Sequence, residues 1–221
     1  MPAIGRNRVI RRNQMRREWN GRASALGSLL AVLALIGALG TPGIRAEKHA
    51  APSAGSATRD DAGARAAFAA AAPVFFHPRC MNCHPSGDRP LQGDDSHPHA
   101  QNVQRGPLGD GRYGMKCTTC HQQENTPGPH MPPGAVVWRL PPPKMPMVIQ
   151  GKTPRELCEQ LKDPARNGGK TLQQIIEHVT SDKLVGWGWN PGEGRTLPPL
   201  SREEFARNIR EWVGKGAACP E

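Results

Sequence analysis

The chain has 221 residues and a formal net charge of +10 at pH 7, yet this charge does not indicate a nucleic-acid-binding protein. Residues 1–46 hold eight arginines and one glutamate, a net charge of +7, which leaves +3 for residues 47–221. Hydrophobic residues make up 37% of the chain, so its side chains alone predict a small core. We therefore expect no nucleic-acid partner, and one domain whose core contains an additional apolar group.

The first 46 residues are typical of a signal peptide. A long arginine-rich region precedes an apolar run from Leu26 to Leu39, which ends in small residues. Cleavage fits after Ala46 or after Gly40, and Met15 is an alternative start. The apolar run is shorter than the roughly 20 residues that span a bilayer, so we expect an exported protein without a membrane anchor.

Residues 47–60 are rich in Ala, Ser and Gly without any period, and they predict a flexible leader before a domain at residues 61–221. The composition of residues 62–72 predicts a helix. We expect Pro73 to end or kink this helix, and the following residues 74–76 to pack toward a cofactor.

Two segments further along, residues 80–84 and 117–121, both read C-x-x-C-H, the attachment signature of a c-type haem. Thiols three residues apart on one helical turn can form thioethers at one haem edge, and the adjoining imidazole then lies under the iron. The sequence therefore predicts two covalently bound haems c. The attachment and axial residues are Cys80, Cys83, His84, Cys117, Cys120 and His121.

Two other chemistries share the C-x-x-C spacing. A zinc ribbon usually places roughly 15 to 20 residues between its cysteine pairs, whereas residues 84–116 intervene here, and both pairs end in His. A thioredoxin-like redox pair would lie in a βαβ pattern, which neither motif shows.

We expect a haem protein of this kind in the periplasm, and the predicted signal peptide supports this location.

The segments that follow the first motif differ in structure along the chain. Residues 85–114 and 127–146 are rich in Gly or Pro and predict loops whose shape comes largely from packing on haem. Three capping boxes then predict three helices, beginning at Thr153, Thr171 and Ser201. The expected fold is mainly α and loop-rich, a dihaem cytochrome c type domain with haems forming much of its core.

Cys158 and Cys219 remain outside the motifs. An even remainder in an oxidising compartment predicts a disulfide between them. The alternative is two separate buried thiols.

The function depends on the residues that face each iron opposite His84 and His121. His178 is the first candidate, because it lies beside the apolar face of a capped helix. His99, and after it His97, lies in a loop long enough to fold back over the other haem. Further candidates are His77, His130, Met115, Met131, Met145 and Met147. Two histidines would saturate each iron and suit electron transfer, whereas an open position would permit peroxide chemistry.

Several stretches carry a resemblance to a family. They are residues 77–80 and 82–85, 92–95 with 97–99, 161–164 with 167–169, and 187–189. With both motifs placed, the chain resembles small periplasmic dihaem cytochromes c, and more closely the bacterial family labelled isoquinoline 1-oxidoreductase subunit. The resemblance implies electron transfer to a redox partner protein, such as a periplasmic molybdenum hydroxylase. No residue here forms a molybdopterin site.

We therefore expect an electron carrier rather than an enzyme. The enzyme alternative is a dihaem peroxidase, which also has two such motifs but in a considerably longer chain. A haem-based sensor would need a signalling domain, which the sequence does not contain.

Overall fold

The computed structural model of the protein describes residues 59–221, and the predicted signal peptide and most of the predicted leader lie outside the described residues. The helices are α1 (Asp61–Phe75), α2 (Pro78–Met81), α3 (Pro154–Lys162), α4 (Leu172–Ser181), α5 (Lys183–Gly186) and α6 (Arg202–Gly214). Single 3-10 turns cover Ala100–Asn102, Cys117–Thr119 and Trp187–Trp189. No helix in this part of the chain is long and apolar enough to cross a membrane.

Two short antiparallel hairpins interrupt the long loop segment between α2 and α3. The first pairs β1 (Leu91–Gln92) with β2 (His97–Pro98), and the second pairs β3 (Gly111–Arg112) with β4 (Met115–Lys116). The first hairpin leads directly into His99 and the second directly into Cys117. A candidate haem residue therefore follows directly after each hairpin.

The three predicted capping boxes are confirmed. The hydroxyl groups of Thr153, Thr171 and Ser201 each accept a hydrogen bond from the backbone N–H three residues later, and the Glu or Gln at that position accepts one in return. These reciprocal bonds satisfy backbone donors that the first helical turn leaves without partners. The beginnings of α3, α4 and α6 are therefore determined by local sequence.

The helices form a core of their own. The ring of Phe68 on α1 lies 5.1 Å from that of Trp212 on α6, and the rings of Phe75 and Phe205 meet edge to face at 4.9 Å. Apolar residues of α3 and α4 complete the cluster: Leu157, Leu161, Ile175, Ile176 and Val179. The helical part of the domain thus buries a substantial apolar surface with side chains alone.

Pro73 does not end α1, which was one of the two effects that the sequence predicted for it. The helix continues to Phe75, and Val74 and Phe75 are buried in the helical core, where the Phe75 ring meets Phe205 of α6. A proline removes one backbone hydrogen bond, but here it lies near the end of the helix and is itself exposed. Burial of Val74 and Phe75 outweighs that local cost.

The loop segment takes part of its shape from a buried arginine. The Arg105 side chain is 2% exposed and donates to the carbonyls of Gly87 and Pro141, at 2.7 Å each. These bonds join three stretches of loop that have no strand partners to satisfy their carbonyls. The loops are therefore held by protein contacts as well as by any cofactor.

Candidate haem sites

The first motif lies on one continuous helical turn. His77 caps α2, and beyond the helix the turn continues with Cys83 N–H donating to Cys80 O at 3.3 Å and His84 N–H donating to Met81 O at 2.9 Å. Cys80, Cys83 and His84 are all partly buried. This backbone presents the two thiols and the imidazole from successive positions of the same turn, as thioether attachment and axial ligation need.

The segment of residues 147–150, called the strap below, forms hydrogen bonds with both the ring and the backbone of His84. The Nδ1 atom of His84 lies 2.7 Å from Met147 O, a contact in which the ring nitrogen must be the donor. The N–H groups of Ile149 and Gln150 donate to His84 O, at 2.9 and 3.1 Å. Since Nδ1 carries the proton, Nε2 is the nitrogen with a free lone pair for a metal.

The second motif repeats this arrangement with different elements. It follows β4, and the N–H groups of Cys120 and His121 both donate to Cys117 O. The Nδ1 atom of His121 donates to Pro133 O at 2.7 Å. Both motif histidines thus have the same tautomer, with Nε2 available to a metal.

A second histidine faces His121. The ring centroids of His99 and His121 are 6.2 Å apart and their planes are 63° apart. Two imidazoles that bind one iron from opposite sides place their centroids about 6 Å apart, because each nitrogen lies about 2 Å from the metal and about 1 Å from its own centroid. The pair therefore has a separation that fits one haem iron between the rings.

His99 is held firmly for a loop residue. Its N–H donates to Pro90 O at 2.8 Å, its carbonyl accepts from Arg89 Nε at 2.8 Å, and its Nδ1 donates to Ala100 O at 2.8 Å. Its Nε2 is thereby left as the metal-binding nitrogen. His97 differs, since its exposed ring bonds Asp95 at 2.6 Å. The geometry favours His99 over His97.

His178 lies on α4 and is a neighbour of His84. Burial lowers the pKa of His84 to about 4, the bond to Met147 opposes this shift, and the charge of His178 lowers the pKa further. Burial also lowers the pKa of His178 itself, against the attraction of Asp182. The Nδ1 atom of His178 lies 3.3 Å from Asp182, which leaves its Nε2 free. His178 thus has an electrostatic effect on His84, and its role as a ligand of the first motif stays a prediction.

The remaining candidates have other surroundings. His77 caps α2 through Nδ1, and its Nε2 lies 3.4 Å from the hydroxyl of Thr196. His130 is exposed in a left-handed turn with φ of +58°. The side chains of Met115 and Met131 are exposed, and Met147 serves His84 through its backbone.

Burial holds the two thiols of the first motif in their neutral form. Burial raises the pKa of Cys80 to about 12 and that of Cys83 to about 11. Arg79 opposes the shift at Cys83, while the charge of Cys117 adds to it. Among residues 59–221, no group of three or more His, Cys, Asp or Glu side chains converges on a metal position.

Two residues of this region were not found by sequence reasoning. The indole of Trp138 stacks on the His121 ring, with centroids 4.3 Å apart and planes 5° apart, and it meets Trp187 edge to face at 4.8 Å. Arg79, directly before Cys80, has a side chain that is 2% exposed and is paired with Asp94. No local pattern marks either role, because both depend on contacts across the fold.

Exposed apolar side chains are concentrated around the second motif. Most of the large ones in the described part lie within residues 108–137, namely Leu108, Tyr113, Met115, Met131, Val136 and Val137. Such clusters are typical of surfaces that bind an apolar group. The second motif, residues 117–121, lies within this range of the sequence.

The structure joins Cys158 of α3 to Cys219 near the chain end, with an S–S distance of 2.02 Å. This is the pair that the sequence analysis expected, and Cys80, Cys83, Cys117 and Cys120 are free thiols.

No protein-family model, curated protein or solved structure matches the chain.

Proposed function

We propose that the protein is a periplasmic electron-transfer protein with two covalently attached c-type haems, each bound by two histidines. The first haem would be attached to Cys80 and Cys83 and bound by His84 and His178. The second would be attached to Cys117 and Cys120 and bound by His121 and His99. The observation that carries this proposal is the 6.2 Å separation of the His99 and His121 rings within a complete attachment motif.

The haems, when bound, supply an iron that alternates between its ferric and ferrous forms and so passes one electron at a time. The four thiols attach the groups, and the two carbonyls that accept from Nδ1 orient the motif histidines. With both axial positions filled by histidine, neither iron has a position open to peroxide. This supports electron transfer over the peroxidase alternative.

The closeness of the two motifs supports exchange of electrons within one molecule. Cys117 is near enough to Cys83 for its charge to raise the pKa of the Cys83 thiol. We propose a redox protein as the partner, and the resemblance to the family labelled isoquinoline 1-oxidoreductase subunit suggests a periplasmic molybdenum hydroxylase. An electron that enters at one haem would leave from the other.

The test is expression with a signal peptide and the cytochrome maturation machinery, followed by intact mass and ferric electron paramagnetic resonance spectra. We expect a mass increase of two haems and two low-spin signals typical of histidine pairs. A mass increase of one haem, or bound zinc, would contradict the proposal. A high-spin iron that reacts with peroxide would favour the peroxidase.

A further inference from the structure

A buried amide on α3 holds the strap that orients His84. Gln160 is 5% exposed, and its Nε2 donates to Val148 O at 2.9 Å and to the sulfur of Met147 at 3.1 Å. Met147 is the strap residue whose carbonyl accepts the hydrogen bond from the His84 ring, and Val148 is the next residue of the strap. One side chain thus contacts the side chain of the residue that carries the acceptor of the histidine proton, and the carbonyl of the residue that follows it.

The strap needs such an anchor, because its backbone is not in a relaxed conformation. Met147 has a φ of +46°, in the left-handed region that disfavours residues with a side chain. Ile149, 2% exposed, fixes the far end of the strap in the helical core. At the near end, two hydrogen bonds from Gln160 join residues 147 and 148 to α3.

A hydrogen bond from Nδ1 makes the opposite nitrogen of an imidazole a stronger donor to a metal. A stronger axial donor stabilises the ferric iron relative to the ferrous iron, and so lowers the reduction potential. Loss or lengthening of the bond between His84 and Met147 O would therefore raise the potential of the haem that His84 binds. The strength of that bond depends on where the strap holds the Met147 carbonyl.

We propose that Gln160 is a positioning residue for the first haem: it fixes the Met147 carbonyl on His84 and thereby keeps the reduction potential of that haem low. This inference rests on the proposed function, since it presupposes a haem at the first motif. Under this proposal, α3 positions the axial ligand of the first haem in addition to packing in the helical core.

The experiment compares Gln160→Met with Asn167→Leu in the complete, haem-loaded protein. Methionine resembles glutamine in size but cannot donate. Asn167 is a matched control, because it is 3% exposed and its amide bonds Leu161 O and Lys170 O at 2.7 and 2.8 Å, without contacting the strap. Both changes should lower thermal stability. Only Gln160→Met should raise one of the two midpoint potentials and alter one low-spin signal.

The haem that responds is identified in a His99→Ala background, where the second iron becomes high-spin and the remaining low-spin signal belongs to the first. Met147→Leu provides a milder second variant, since it removes the sulfur acceptor but keeps the bond to Val148 O. It should move the same potential in the same direction by less, and it tests the inference if Gln160→Met does not fold.

Unchanged potentials and spectra in Gln160→Met, with a stability loss like that of Asn167→Leu, would show that Gln160 is only a core amide. If Gln160→Met does not fold, unchanged values in Met147→Leu have the same meaning. A parent protein with fewer than two haems, or without low-spin iron, would overturn the proposed function as well. The two failures are distinguishable, because the second appears in the parent before any variant is made.

Discussion

The ring of His99 faces the ring of His121 at a centroid separation of 6.2 Å, although 22 residues separate them in the chain. The first hairpin leads directly into His99, whereas the His121 ring bonds Pro133 O and stacks on Trp138. Because each ring uses Nδ1 for a backbone carbonyl, both present Nε2 as the free nitrogen. This relationship leads to the first prediction.

His99→Ala should convert one iron from low to high spin and open it to carbon monoxide after reduction, because the second haem loses an axial ligand. Ferric electron paramagnetic resonance and the optical spectrum with carbon monoxide measure the change. His97→Ala is the control and should leave both spectra unchanged, since its ring is exposed and bonds Asp95. The reverse pattern would assign the ligand to His97.

His178→Ala should have the same effect on the other iron, because His178 is the histidine whose charge reaches His84. His130→Ala serves as the control, since that ring is exposed in a loop. The double variant His99→Ala with His178→Ala should contain no low-spin haem. If the spectrum of His178→Ala equals that of the parent, His178 is a helix-surface residue and the first haem takes another ligand.

Trp138→Ala should broaden the low-spin signal of the second haem, because the indole fixes the plane of the His121 ring from 4.3 Å away. Loss of an aromatic stack also costs about 1 kcal/mol in the free energy of unfolding beyond the lost burial. Trp189→Ala removes an indole that contacts Phe205 and Leu200 instead, and it should leave this signal unchanged. An identical response of both variants would mean that the stack does not orient His121.

Cys219→Ser should lower the free energy of unfolding by about 4 kcal/mol, because the disulfide closes a loop with a sequence separation of 61 residues. Cys219 is the better position to change, since Cys158 is fully buried and a serine there would add a buried hydroxyl. Denaturant unfolding measures the effect, and the parent under reductant is the control. Alkylation of both cysteines in the untreated parent would contradict the cross-link.

Features that depend on neighbouring residues could be read from the sequence. The three capping boxes lie within four residues each, and they begin α3, α4 and α6 as expected, because the bonds involved join a side chain to a backbone three positions away. The two C-x-x-C-H segments belong to the same class, since their spacing alone places two thiols and an imidazole on one turn. Pro73 marks the limit of such reasoning, because burial of Val74 and Phe75 outweighs its local preference.

The sequence by itself thus predicted which residues would hold two haems, and it determined where the later helices begin. Only the tertiary structure decided that the His99 and His121 rings lie 6.2 Å apart, that Trp138 stacks on His121, and that Gln160 bonds Val148 of the strap. These relationships join positions between 12 and 22 residues apart in the chain, and loop closure over such distances leaves no period or spacing in the sequence. They arise when the helical core and the two hairpins fold together.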